Sequence, residues 1–106
     1  MVITINKQNV DQEILQAKLP AVIKVYASWC GPCQQIAPVY HELAKELAGT
    51  YIFGQLNVDD ARDLSIEYGI TSIPAFVFFK NGAIVGKEVG YMSKDDLKDA
   101  LQKYLQ

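Results

Sequence analysis

The chain has 106 residues, ten Lys and Arg against twelve Asp and Glu, and a formal net charge of −2, so it has room for one domain over residues 1–106 and no basic run to hold nucleic acid or an anionic membrane surface. Half the residues are apolar, 21% are charged and 10% are aromatic, a globular composition rather than a disordered one. The longest apolar run, Ile73 to Phe79, falls far short of the ~18 residues needed to span a bilayer, and Met1–Ile5 meets Asn6 and Lys7 without the apolar stretch of a secretory signal, so a cytoplasmic protein is expected.

Taken in chain order, Val2 to Ile5 is a short β-branched run that predicts an edge strand. From Asn9, placed to cap it, Val10, Ile14 and Leu15 mark a helix. Pro20 opens Ala21–Ala27, apolar except for Lys24, as expected of a strand covered on both faces. After Ser28 and Trp29 the period becomes helical. Cys33, Ile36, Ala37, Tyr40, Leu43, Ala44, Leu47 and Ala48 share one side, Pro38 lies within, where it should kink the helix, and Gly49 suits a left-handed C-cap. Tyr51–Val58 predicts another strand, and Asp59 and Asp60 open a short helix that ends at Tyr68–Gly69. Asn81–Gly82 between Ala75–Lys80 and Ala83–Val89 is a hairpin signal, because both turn positions favour positive φ. Ser93 with Asp96 three residues on forms a capping box, ahead of a stripe of Leu97, Ala100, Leu101, Tyr104 and Leu105. The order β-α-β-α-β-α-β-β-α predicts an α/β domain with one mixed sheet and helices on both faces.

Cys30 and Cys33 are the only cysteines. Two thiols cannot frame a disulfide scaffold, and with the lone His41 they supply neither a closed zinc site nor an iron–sulfur cluster. A redox pair or two buried thiols remain. Trp29-Cys30-Gly31-Pro32-Cys33 falls at a predicted strand-to-helix junction, with Pro32 in the first turn, where its missing N–H costs nothing. That puts Cys30 among the unpaired amides at a helix N-terminus, which favour a thiolate, and Cys33 one turn on along the same face. Closing so short a loop gains only ~2 kcal/mol of chain entropy, which suits switching better than stapling.

The sequence resembles the thioredoxin family over nearly its whole length. Trp29-Cys30-Gly31-Pro32-Cys33 matches the family's active-site motif, Pro38 the proline of its active-site helix, Ile73-Pro74 with Phe79-Lys80-Asn81-Gly82 its cis-proline strand and hairpin, and Gly90 its glycine near the active-site surface. The resemblance implies a thioredoxin fold, a central mixed five-stranded sheet flanked by four helices. It implies a protein-disulfide reductase whose redox-active disulfide works without a bound cofactor or metal: Cys30 attacks a target disulfide, and Cys33, across Gly31 and Pro32, resolves the mixed disulfide. Trp29, Ile73, Pro74 and Gly90 would bind substrate, with Val58 and Tyr91 on the rim or in the core and Tyr26 packing behind. Disulfide-containing target proteins and an NADPH-dependent thioredoxin reductase are the implied partners of a monomer. Proline at position 32 leaves no imidazolium beside the thiolate, which favours a reductant over an oxidant.

Two positions depart from the family pattern. Where the family carries a buried aspartate near the second cysteine, this chain has Lys24, and Gln55 replaces the usual lysine on the neighbouring strand. Lys24 either packs its stem and sends its ammonium to water, or takes the proton of Cys33 as a neutral amine or attracts either thiolate as a cation, with Gln55 orienting the amine. This altered pair supports one alternative, an exchanger or isomerase dedicated to one partner; a second is a binding module that holds a partner on the apolar rim around Pro74, with catalysis incidental. Elsewhere, His41 is expected on the surface, and Asp59, Asp60 and Asp63 as helix caps rather than metal ligands.

Overall fold

The computed structural model describes residues 1–106. Five strands, β1 (Val2–Thr4), β2 (Ala21–Tyr26), β3 (Ile52–Asn57), β4 (Ala75–Lys80) and β5 (Ala83–Val89), form one mixed sheet in the order β1-β3-β2-β4-β5. β3 pairs in parallel with β1 and β2, while β4 runs antiparallel to β2 and β5. Four helical segments flank it: a π-helical turn at Asp11–Leu15, α1 (Gly31–Glu46), α2 (Arg62–Glu67) and α3 (Lys94–Leu105).

β2 lies mid-sheet and is buried on both faces, which explains its nearly continuous apolar run. Its alternation divides the core in two. Ala21, Ile23 and Val25, with Ala75, Val77 and Phe79 of β4, pack against Ile14 of the π turn and Leu64 of α2. Val22, with Phe53, Phe76 and Phe78, packs against Ile36, Tyr40 and Leu43 of α1 and Leu97 and Leu101 of α3. The same period of two puts Lys24 on the α1 side, between Gln55 and Phe76 on the neighbouring strands. Tyr40 fastens α1 to this face. Its buried hydroxyl lies 2.7 Å from the Gly54 carbonyl and 3.0 Å from that of Val22, sharing its proton between them. Burial holds the phenol well above its ordinary pKa, so it stays a neutral donor.

Several local expectations hold. Asn81 and Gly82 have φ of 55° and 78°, and Gly49 has φ of 87°, two residues past the C-cap Leu47; of the capping box one half forms, the Ser93 hydroxyl accepting from the Asp96 N–H at 3.1 Å. Two capping assignments change. The chain turns after β1 on Asn6, not Asn9: the Asn6 side chain accepts from the amides of Gln8 and Asn9, and the Asn9 carboxamide oxygen accepts in return from the Asn6 N–H, all at 2.9 Å. The reciprocal pair uses the logic of a capping box three residues upstream of the expected start, and it leads into a single π turn rather than a regular helix. Nor do Asp59 and Asp60 open α2. It begins at Arg62 behind Ala61, without a side-chain cap, and its one acidic first-turn residue is Asp63. β5 is an edge strand whose Ile84, Val85 and Val89 are exposed, although its sequence reads as apolar.

Candidate active site

β2 ends at Tyr26, and the chain crosses Ala27, Ser28 and Trp29 to enter α1 at Gly31. Cys30 is the N-cap, with extended backbone (φ −89°, ψ 114°), and its sulfur accepts from the Cys33 N–H at 3.3 Å. It thus occupies the place of the oxygen of a capping serine or aspartate. Pro32 sits in the first turn, and Gly31 and Pro32 face solvent. Cys30 and Cys33 are joined as a disulfide with Cα atoms 5.3 Å apart. When the bond opens, a Cys30 thiolate would keep the helix-end amide and the positive end of the helix dipole.

Ile73 and Pro74 approach from the other side. The bond between them is cis, and the Ile73 carbonyl oxygen lies 3.9 Å from Cys30 Sγ. Pro74 is buried, and its carbonyl accepts from the Gly90 N–H at 2.8 Å, which draws the β5 exit to the site. Gly90 has φ of 103°, in the region that glycine alone enters freely. The two cysteines and Ala27 form a small buried cluster, with Tyr26, Val58 and Ile73 half-buried around it. Val58 therefore packs against the disulfide, whereas Tyr91 is 54% exposed and no part of the core.

Trp29 is 70% exposed beside the disulfide. Its indole N–H donates to Asp59 Oδ2 at 2.9 Å. This partner, thirty residues away, has no signal in the sequence: Asp59 looks like a helix cap and instead orients the tryptophan. Past Trp29 runs an open groove of about 290 Å³, lined by Val58, Asp59, Arg62, Ile66 and Ile73 among others.

On the core side of the disulfide, Lys24 is 2% exposed. Its Nζ lies 4.9 Å from the Tyr26 ring centre and 5.1 Å from that of Tyr40, beside a cavity that opens to the surface between exposed Ser28, Gln34 and His41. Burial pulls its pKa below the ordinary value of 10.5. Gln55, expected to orient this amine, instead donates to Thr4 Oγ1 at 3.4 Å on β1, although it borders the same cavity. His41 is exposed, as expected, yet it borders that cavity too. Burial lowers its pKa first, and the charges of Lys24, the amino terminus and Lys45 lower it further. No three His, Cys, Asp or Glu side chains converge as a metal site, Asp59, Asp60 and Asp63 included. No helix is long and apolar enough to cross a membrane.

The model of the family described as Thioredoxin matches residues 1–103. The chain belongs to the thioredoxin family. Among its relatives, a chloroplastic M-type thioredoxin of Spinacia oleracea is 40% identical over 101 residues, 95% of this chain and 56% of that protein. A thioredoxin of Haemophilus influenzae is 35% identical over 98% of this chain and 97% of its own length, and one of Mycoplasmoides gallisepticum 37% identical over 92% and 95%. The chain thus spans a little over half of the chloroplastic thioredoxins it matches and nearly all of these two bacterial ones. The mixed five-stranded sheet with its four helical segments is the thioredoxin fold that the sequence resemblance implied.

Proposed function

We propose that the chain is a protein-disulfide reductase, a thiol–disulfide oxidoreductase whose redox group is the Cys30–Cys33 pair itself. One observation carries the reading: in a thioredoxin-family chain the two cysteines close a disulfide at the start of α1, with the Cys33 amide on the Cys30 sulfur. Cys30 is the nucleophile, because the helix end favours its thiolate. Its attack on a target disulfide forms a mixed disulfide and releases one target sulfur, and Cys33 then attacks Cys30 and releases the other. Gly31 and Pro32 hold the two sulfurs one turn apart. Trp29, Ile73 and Gly90 border the landing surface, while buried Pro74 shapes it from beneath by presenting Ile73, where an extended target segment can pair by strand addition.

The partners are disulfide-containing proteins, recharging falls to an NADPH-dependent thioredoxin reductase, and the chain works as a monomer in the cytoplasm. The bacterial thioredoxins matched over nearly their full length support that location against the chloroplast. Reduction of insulin disulfides, coupled to such a reductase, tests the reading. Cys30→Ser is expected to abolish turnover, on the order of a thousandfold or more, and to form no adduct, while Cys33→Ser accumulates the mixed disulfide. Turnover retained in Cys30→Ser would overturn it, and partner binding without turnover in the wild type would favour a binding module.

A further inference from the structure

Lys24 is a buried cation without an anion. The ion pairs of the molecule are Lys7 with Asp63, Lys94 with Glu42 and Glu46, and Lys98 with Glu46, and none includes Lys24. Its Nζ has two tyrosine rings near it, whose π faces favour the charged amine, and it borders a cavity of about 250 Å³. Every element around that cavity can be checked for a counter-charge. α1 contributes Cys33, Gln34 and His41, β3 contributes Gln55, and β2 and the loop after it contribute Tyr26 and Ser28. Tyr40 of α1 faces Nζ as a neutral phenol, and β4 sets Phe76 beside Lys24 in register. No carboxylate is among them. His41 is the other ionisable base there, and when protonated it too is a cation.

Below the range in which phenols ionise, one group on this wall can become an anion, the sulfur of Cys33, and only when the disulfide is open. We propose that Lys24 is the counter-ion of the Cys33 thiolate, a positioning residue that has no partner in the oxidised protein and gains one on reduction. The proposal rests on the thiol–disulfide exchange above and adds how its second step is driven. In the mixed disulfide Cys33 must lose a proton. The Lys24 ammonium stabilises the thiolate, so the proton passes to water and no general base is needed. The Cys33 thiolate then attacks Cys30 Sγ, the bond from Cys30 to the target breaks, and its electron pair leaves on the target sulfur, which takes a proton from water. Cys33 is oxidised and the target sulfur reduced. An interaction present only in the reduced protein also shifts the couple toward reduction.

The experiment measures Cys33 alone, by thiolate ultraviolet absorbance against pH in the Cys30→Ala protein, with Lys24 native or as Lys24→Met or Lys24→Arg. Lys24→Met is expected to leave about tenfold less thiolate at a given pH, and Lys24→Arg to restore most of it. In the dithiol protein, equilibration with a reference dithiol at a pH where Cys33 is ionised in both proteins should show the Lys24→Met couple about tenfold more oxidised, which is ~30 mV for a two-electron couple. Coupling is reciprocal, so the Lys24 amine of the wild-type protein, followed by NMR, should titrate at higher pH in the reduced form than in the oxidised form. That measurement needs no variant and stands even if Lys24→Met fails to fold. An unchanged Cys33 titration in folded Lys24→Met, or an amine that titrates alike in both redox forms, overturns the proposal. Neither readout depends on target reduction, so failure of the reductase reading would be seen separately, in the insulin assay.

Discussion

On the solvent side of the disulfide stand Trp29, 70% exposed, and half-buried Ile73; on its core side stands Lys24, 2% exposed, with Gln55 and His41 around the same cavity. The outer residues are those of the family motif, held by loops at strand ends and steadied by bonds between those loops such as Trp29 to Asp59. The inner residues come from the middle of β2 and β3 and from α1, and carry both departures from the family pattern. What a target meets and what tunes the sulfurs are therefore set by separate parts of the fold. A change on one side should alter binding and leave the thiol titration alone; a change on the other should do the reverse.

Tyr40→Phe tests the inner side with the largest expected loss of stability. The ring stays beneath Lys24, but the shared hydroxyl proton is lost and the buried carbonyls of Val22 and Gly54 lose their side-chain donor. Denaturant unfolding should show a loss of about 1 kcal/mol with an unchanged slope, the worth of one buried hydrogen bond. The Cys33 titration should stay as in the native protein. A shift as large as that expected for Lys24→Met would mean that Tyr40, and not the amine, sets the thiol.

Trp29→Phe is the outer counterpart. It keeps an aromatic surface and deletes the indole donor to Asp59. Loss of one hydrogen bond that positions a contact residue should lower kcat/KM for a protein disulfide roughly fivefold, through KM, with little effect on stability or thiol titration. A changed thiol titration in this variant would dissolve the separation of the two sides.

The outer side is the more legible in the sequence because its signals are local. Cys30 to Cys33 spans one helical turn, Pro32 belongs in a first turn, and Asn81–Gly82 adopts the positive φ its residues favour. Lys24 stands out as the one polar residue in an apolar strand, and the period of two gives its face. Its company is not legible, because Tyr40, and Cys33 on the wall of the same cavity, come from a helix packed across the sheet. The Tyr40 hydroxyl, the Trp29–Asp59 bond and the turning of Gln55 to Thr4 are likewise long-range pairings that residue spacing cannot encode. The first helix departs from expectation for a nearer reason. Asn6 and Asn9 are both capping residues, and the choice between them depends on whether the strand ends at Thr4 or runs on, which the run Val2–Ile5 does not mark.

The smallest expected effect concerns pH and separates Lys24 from the surface lysine with which it contrasts most. Burial lowers the folded-state pKa of Lys24 below its ordinary 10.5, so the unfolded chain binds more protons between those two values, and stability rises with pH across that window. Lys94 is the opposite case: hydrogen bonds to Glu42 and Glu46 hold its pKa above 10.5, and its contribution is present below that value and lost as pH rises through the folded one. The two windows lie on either side of 10.5. Lys24→Met should therefore flatten the rise on the lower side, measured as the denaturation midpoint against pH in the oxidised protein, and Lys94→Met only the fall on the upper side, diminished by salt because its partners are exposed. If Lys24→Met left the lower window unchanged, the ammonium would be solvated in the folded protein, and the core side of the disulfide would differ from the outer side in packing rather than in charge.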